Sequence, residues 1–331
     1  SIFRIASASK LVTAIGVMKL RDEGRLSLDD KVFGEEGILS QFTDIYDKRA
    51  KSITVQHLLE HTSGFSRRLG DPMFRTTDIM KWENMATTPS ADELIAYQLT
   101  KRLRCQPGGA MQYSNIGYLV LSRVIEQVAG MSYEDYIREH VLRPAGCYDM
   151  HIAANYYEER HPREVKYYGH DPGELIESFD GSGNMRPREY GGNNITGLQG
   201  AGAWVASSAE LMRLVASVDG EEGVKDILSP ESVEIMNGRN GNEGFGWAYI
   251  HNDGYRLVRT GTMSGTCAHI EGGHNGYSFV FLTNTSHYRG STFTRDNISR
   301  MVRTALTRVT EWPEGRDLFT EVPKIENGEN E

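Results

Sequence analysis

The chain has 331 residues, 39% hydrophobic and 24% charged, with a formal net charge of −9. That length suits one large domain or two intimate ones of ordinary globular composition, and no apolar run approaches the ~20 residues that cross a bilayer. The acidic balance, broken only by short basic pairs such as Arg67–Arg68 and Lys101–Arg102 that read as solvated surface, argues against a nucleic-acid partner.

Apolar residues at Leu11, Val12, Ile15, Val17, Met18 and Leu20 predict a largely buried helix over 9–21, stopped at Gly24. Thr54 is placed to cap a short helix through Val55, Leu58 and Leu59. Residues 65–89 are weakly patterned and read as loop. Ser90 and Glu93 have capping-box spacing, which predicts a helix through Leu94, Ile95 and Leu99. After the Pro107-Gly108-Gly109 turn, a helix runs from about 116 to Gly130, and another spans 132–143. Residues 152–200 are rich in Gly, Asn and charge, and read as loops with few regular elements. Ser207 and Glu210 form a second capping-box pattern. The runs 245–251, 255–259, 267–271 and 277–282 then read as an antiparallel meander. A helix over about 295–309 follows, and the acidic tail from 312 is expected to fray. Helices in the middle and strands near the end make an α+β domain, whose small sheet leaves an edge needing cover.

Three short segments carry residue types suited to nucleophilic catalysis. In Ser7-Ala8-Ser9-Lys10, positions i and i+3 share a helix face, so the amine can reach the hydroxyl. A serine needs such a base, and burial with nearby positive charge lowers a lysine pKa enough to supply one. Alone, the spacing reads as a helix cap followed by a surface lysine. In Tyr113-Ser114-Asn115, between a Pro-Gly-Gly turn and a helix, a tyrosine near cations can move protons. Asn115 can bond a substrate carbonyl or amide, and also Lys10. The plainer reading is a core aromatic with a cap. In Arg259-Thr260-Gly261-Thr262, at the end of a β-type run, glycine lets a substrate backbone come close. Backbone N–H groups there can bind a peptide-like ligand, and Arg259 suits a carboxylate. The plainer reading is an edge strand with a solvated arginine.

Taken in order, Ser-x-x-Lys, Tyr-x-Asn and a basic-Thr-Gly triplet resemble the three motifs of the penicillin-recognising serine hydrolases. The lead-in Phe3-Arg4-Ile5-Ala6-Ser7, the stretch from Ile53 to Gly64 and the approach from Pro107 to Tyr118 resemble the class C β-lactamase, D-alanyl-D-alanine carboxypeptidase and family VIII esterase branch. The resemblance runs from about residue 3 to 310. It implies a β-lactamase/transpeptidase-like fold over 1–311, with a mostly helical subdomain at about 30–200 inserted between the nucleophile helix and the C-terminal sheet. It implies an acyl-enzyme on Ser7, with Lys10 and Tyr113 sharing proton transfers and Asn115 orienting the substrate. Arg259, Thr260, Gly261 and Thr262 would bind substrate, and the backbone N–H groups of Ser7 and Thr262 would form the oxyanion hole. The expected substrate is an ester, amide or D-peptide, small or peptide-like, and a carboxylate on it would suit Arg259. No cofactor or metal is implied, and a periplasmic or secreted location is.

Two departures stand out. Arg259 stands where the family usually has Lys or His and stays protonated, which places an esterase or D-peptidase ahead of a β-lactamase. About two strands usually precede the serine motif, and they are absent here. Either the chain is an N-terminally incomplete fragment or something else covers the sheet edge, and the lack of a visible signal peptide does not decide between them. A non-catalytic binding or scaffold module that keeps the fold is the alternative. Of the remaining candidates, His57 and His61 share a helical spacing but have no third ligand in register. Asp180 to Asn184 lacks the glutamate of a calcium loop. Cys105, Cys147 and Cys267 read as free thiols.

Overall fold

The computed structural model describes residues 1–312 except 67, 69, 172, 239–243, 252–255, 275 and 287–296. The chain enters through a two-residue strand, β1 (Phe3–Arg4), and a single 3-10 turn, Ala6–Ala8, that runs straight into helix α1 (Ser9–Asp22). Every residue of α1 from Ser9 to Met18 is buried, including Lys10 and Thr13. Such a helix needs close neighbours on all sides. At Gly16 an added Cβ would run into the Ile137 side chain. Gly24, with φ of 67°, turns the chain away just past the C-terminus.

The helices that follow begin where side-chain oxygens satisfy their first N–H groups. Thr54 accepts from His57 N at the start of α2 (Val55–Leu59), and the His57 ring Nδ1 in turn accepts from Thr54 N. Between them comes α3 (Thr76–Trp82), a helix inside the stretch expected to be loop. It buries only Thr76, Ile79 and Met80 and has no side-chain cap, so neither periodicity nor capping marked it. Ser90 and Glu93 complete both halves of their box before α4 (Ala91–Leu99). Ser114 caps α5 (Asn115–Ala129), which ends on left-handed Gly130. Ser132 caps α6 (Tyr133–Ile137), whose next five residues, Arg138–Leu142, continue as a wider turn.

Residues 151–206 supply the short strands β2 (His151–Ile152), β3 (Leu175–Glu177), β4 (Met185–Pro187) and β5 (Trp204–Ala206). β3 and β4 form a hairpin of their own, and the rest of 152–200 is mostly irregular. At α7 (Ser208–Ala216) the expected box is half made. Ser207 accepts from Glu210 N, but the Glu210 carboxylate accepts from Tyr148 N and Asp149 N instead, at 2.6 and 2.8 Å. The sequence reading missed α8 (Pro230–Met236), capped by Ser229 with proline in its first turn.

The meander is an antiparallel sheet in chain order, β6 (Tyr249–His251), β7 (Arg256–Met263), β8 (Thr266–His274) and β9 (Tyr277–Thr283). β7 runs four residues further than expected because Arg259 to Met263 pair with β8, from Arg259 opposite Ile270 to Met263 opposite Thr266. β6 pairs only with 256–258. Among the described residues, the flank of β7 from Arg259 onward is therefore open to the turn that carries Ser7 and to the cleft. Helix α9 (Ser299–Leu306) is shorter than predicted, residues 295 and 296 and the tail 313–331 lying outside the described residues. Among the described residues no helix is long and apolar enough to cross a membrane.

β1 pairs not with the meander but with β5, in a three-stranded sheet ordered β1-β5-β2. This sheet positions the turn that carries Ser7. Ile5 N donates to Trp204 O at 3.0 Å, and Trp204 N donates to Ser9 Oγ at 3.1 Å. Thr266 Oγ1 on β8 donates to Arg4 O at 2.7 Å. The turn is thus bonded to both sheets.

Candidate active site

Ser7 lies in the 3-10 turn, one residue after Ala6, which is held at φ of 47°. A left-handed alanine is costly and persists only where its surroundings over-determine it. Here the neighbours are the β5 backbone on one side and β7 on the other. Arg259 Nε donates to Ser7 O at 2.8 Å. Gly261 faces the same turn. A Cβ there would overlap Ile5 O and sit 2.9 Å from Ala8 N and 3.0 Å from Ser7 N. The glycine is therefore needed for contact with the Ser7 turn. The expectation that its missing side chain admits a substrate backbone is corrected, because the space belongs to the protein's own chain.

Lys10 points back from α1 and is fully buried. Its Nζ donates to Asn115 Oδ1 and to Ala201 O, both at 2.6 Å, and lies 3.4 Å from Ser7 Oγ. Burial is the largest influence on it and lowers its pKa to about 8; the Arg259 charge adds to the lowering, while Tyr113 and Asp71 oppose it. Tyr113 OH donates to Ser7 Oγ at 2.7 Å. Burial alone would push this phenol up, but the Lys10 and Arg259 charges outweigh it and bring it down to about 8. Two groups that can exchange protons with Ser7 thus titrate in the same range.

Tyr113 and Asn115 are placed by a local device. His61 sits at φ of 60°, and its Nδ1 accepts from Ser114 N at 3.1 Å. Its ring lies against both Tyr113 and Tyr118, with centroids 4.6 and 5.0 Å away. His57, by contrast, is spent on the α2 cap, so the two histidines serve separate turns. Among the described residues no group of His, Cys, Asp or Glu could hold a metal ion. The Asp180 carboxylate is taken by Tyr156 OH and Ser182 N.

Two partners of the site were not read from the sequence. Asp71, in the weakly patterned stretch, accepts from Asn115 Nδ2 at 2.7 Å through one oxygen and from Met73 N at 3.1 Å through the other. It fixes the Asn115 amide so that Oδ1 faces Lys10. The Ala201 carbonyl comes from an irregular segment bent at Gln199, whose φ is 40°. An Asp-Pro pair is a cap signal at best, and a backbone carbonyl leaves no sequence signal at all.

Ser7, Tyr113, Asn115, Arg259, Thr260 and Thr262 line one cleft of about 530 Å³, with Phe74, Met111 and Trp247 among its walls. Lys10 closes it from beneath. Arg259 is only 2% exposed; its Nε bonds Ser7 O and its charge acts on Lys10, Tyr113 and Tyr118.

A β-lactamase family model, described as "Beta-lactamase", matches residues 1–316. The chain belongs to the β-lactamase family. Among curated relatives of this family member, penicillin-binding protein 4* of Bacillus subtilis is 26% identical over 297 residues, 87% of this chain and 59% of that protein. Lovastatin esterase of Penicillium rubens is 28% identical over 250 residues, 70% of this chain and 58% of that protein. The chain thus spans less than two thirds of the length of either. Among solved structures, the D-amino acid amidase of Ochrobactrum anthropi SV3 superposes with a TM-score of 0.67 at 21% identity, covering 93% of this chain and 86% of that one. The octameric penicillin-binding protein homologue from Pyrococcus abyssi gives 0.64 at 23%, covering 92% of this chain and 66% of that one. The fold of this family member is β-lactamase/transpeptidase-like.

Proposed function

We propose that the chain is a serine acyl-hydrolase that carries the acyl group of an ester, amide or D-peptide on Ser7. The observation behind this reading is the setting of Ser7 Oγ, 2.7 Å from Tyr113 OH and 3.4 Å from Lys10 Nζ in a surface cleft. When the pair loses one proton near pH 8, a neutral Lys10 keeps two N–H bonds, to Asn115 Oδ1 and Ala201 O, and turns its lone pair toward Ser7. Tyr113, the nearer group, takes the Ser7 proton as it hands its own to neutral Lys10, or takes it directly when the pair's lost proton is that of the phenol and Lys10 stays charged. Ser7 Oγ bonds to the carbonyl carbon, and the resulting oxyanion is held by the backbone N–H groups of Ser7 and Thr262. The leaving group departs with the proton, and water then releases the acid and frees Ser7.

A guanidinium does not shuttle protons as an amine or imidazole can, so the role left to Arg259 is to hold the turn and bias the pair. That favours esters and D-peptides or amides over β-lactams. The names of similar proteins, a lovastatin esterase and a D-amino acid amidase, support the same order. The permanent Arg259 charge is also the one observation that favours a binding module without turnover. A burst of p-nitrophenol from a simple ester separates the two readings.

A fluorophosphonate probe is expected to add its phosphonyl group to Ser7, located by peptide mass spectrometry. Labelling that persists undiminished in Ser7→Ala would reject the assignment. Asp71→Asn keeps the cap on Met73 N but frees the Asn115 amide, and should lower kcat/KM by up to about 10²-fold. Because the Asp71 charge raises Lys10, its loss should also move the ascending limb of the pH–rate profile below its wild-type position near 8. An unmoved limb would deny Asp71 this role.

A further inference from the structure

A second groove, of about 830 Å³, opens beside the catalytic cleft and is lined by Ser66, Arg68, Asp71, Arg102, Arg104 and Gln112 among others. It meets the cleft at Asp71, which is bonded to Asn115, and at Gln112, the residue before Tyr113. Arg259, Thr260 and Thr262 line the cleft and are not part of this groove. The sequence reading took Arg67–Arg68 and Lys101–Arg102 for separate patches of solvated surface. Arg67 lies outside the described residues, but Arg68 and Arg102, thirty-four positions apart, share one wall system with Arg104.

Charge makes this groove unlike the rest of the molecule. The chain carries a net −9, yet three guanidiniums stand here, and among the described residues no carboxylate forms a salt bridge with them. The groove's one carboxylate is Asp71, and both its oxygens are occupied, by Asn115 Nδ2 and Met73 N. The neighbouring cations are engaged elsewhere, Arg75 with Asp78 and Lys101 over the Tyr97 ring. Arginine forks present paired N–H donors that match the planar or tetrahedral oxygens of carboxylate and phosphate. A cation-lined concavity also concentrates anions before they bind.

We propose that Arg68, Arg102 and Arg104 form a subsite for an oxyanion on the acyl part of the substrate, the part that runs past Asn115 while the carbonyl sits at Ser7. This rests on the acyl-hydrolase reading and deepens it to a substrate class: acyl groups tipped with carboxylate or phosphate.

The test uses three p-nitrophenyl esters of equal acyl length, ending in methyl, carboxylate or phosphate. Wild-type protein is expected to favour at least one anionic ester over the methyl ester by about 10-fold or more in kcat/KM, mostly through KM, with the preference shrinking as salt rises. The more favoured ester identifies the anion. The triple variant Arg68→Gln, Arg102→Gln, Arg104→Gln should lose the preference and still hydrolyse the methyl ester at the wild-type rate. Calorimetric titration of Ser7→Ala with the same intact esters reads the groove without turnover. There the anionic ester should bind more tightly, and adding the three Arg→Gln changes should abolish the difference. Equal binding of methyl and anionic esters, or a preference that survives the triple change, overturns the subsite. If none of the esters is turned over but the binding difference holds, the hydrolase reading fails and the subsite stands.

Discussion

Lys10→Met is expected to slow acylation of Ser7 by about 10²- to 10⁴-fold, the range that a positioned proton-transfer group contributes. Methionine fills much of the same buried volume but offers neither the lone pair nor the positive charge. The effect on pH dependence is the more telling part. Wild-type kcat/KM should rise through a limb near 8, where the Lys10–Tyr113 pair sheds its proton. Burial pushes the Tyr113 phenol up, and Lys10 is the larger of the two cations that outweigh it. Without Lys10 the phenol must titrate higher, so the variant's limb should move above 8. A lysine that acted only through its charge on Tyr113 would move the limb but leave the rate above it at the wild-type level. Stopped-flow release of p-nitrophenol across pH, with denaturant midpoints measured alongside, separates the outcomes. A variant with wild-type rate and an unmoved limb would remove Lys10 from the chemistry.

What the sequence made legible was local. A hydroxyl and an amine three positions apart meet because one turn of helix brings them together, and Ser7 and Lys10 do lie 3.4 Å apart. Caps were legible at Thr54 and Ser90 because each helix start is satisfied by residues within three positions. Long-range closure was less so. Glu210 has the spacing of a capping partner, yet the fold delivers Tyr148 and Asp149 N–H groups to it first. Asp71 reaches Asn115 across 44 positions, from a stretch without apolar rhythm. The sheet that aims Ser7 is built from strands of two or three residues, β1, β2 and β5, too short for any alternation to show. Tyr113 and Arg259 drew attention only as parts of an ordered set. Their shared effect on one proton depends on burial, which no motif spacing encodes.

Gly261→Ala should be the most damaging single-methyl change near the cleft. Gly261 stands on β7, opposite Ala268 of β8, so the strand cannot slide without breaking its pairing. The atoms a methyl would strike are Ile5 O, Ala8 N and Ser7 N, all backbone, and none can rotate away as a side chain could. The turn is also bonded from the far side, through Ile5 N to Trp204 O. Overpacking of this kind costs about 1–3 kcal/mol. Whichever element yields, the distance from Ser7 Oγ to Tyr113 OH, now 2.7 Å, must change. A displacement near 1 Å in such a constellation is worth about 10²-fold in rate. The variant should therefore fold with a lowered denaturant midpoint, label slowly with a fluorophosphonate, and show no rescue at high pH, since the fault is one of position and not of protonation. Stability and labelling both at wild-type level would mean that β7 does not press on the nucleophile turn, and the shared role of Arg259 and Gly261 in holding Ser7 would fall with it.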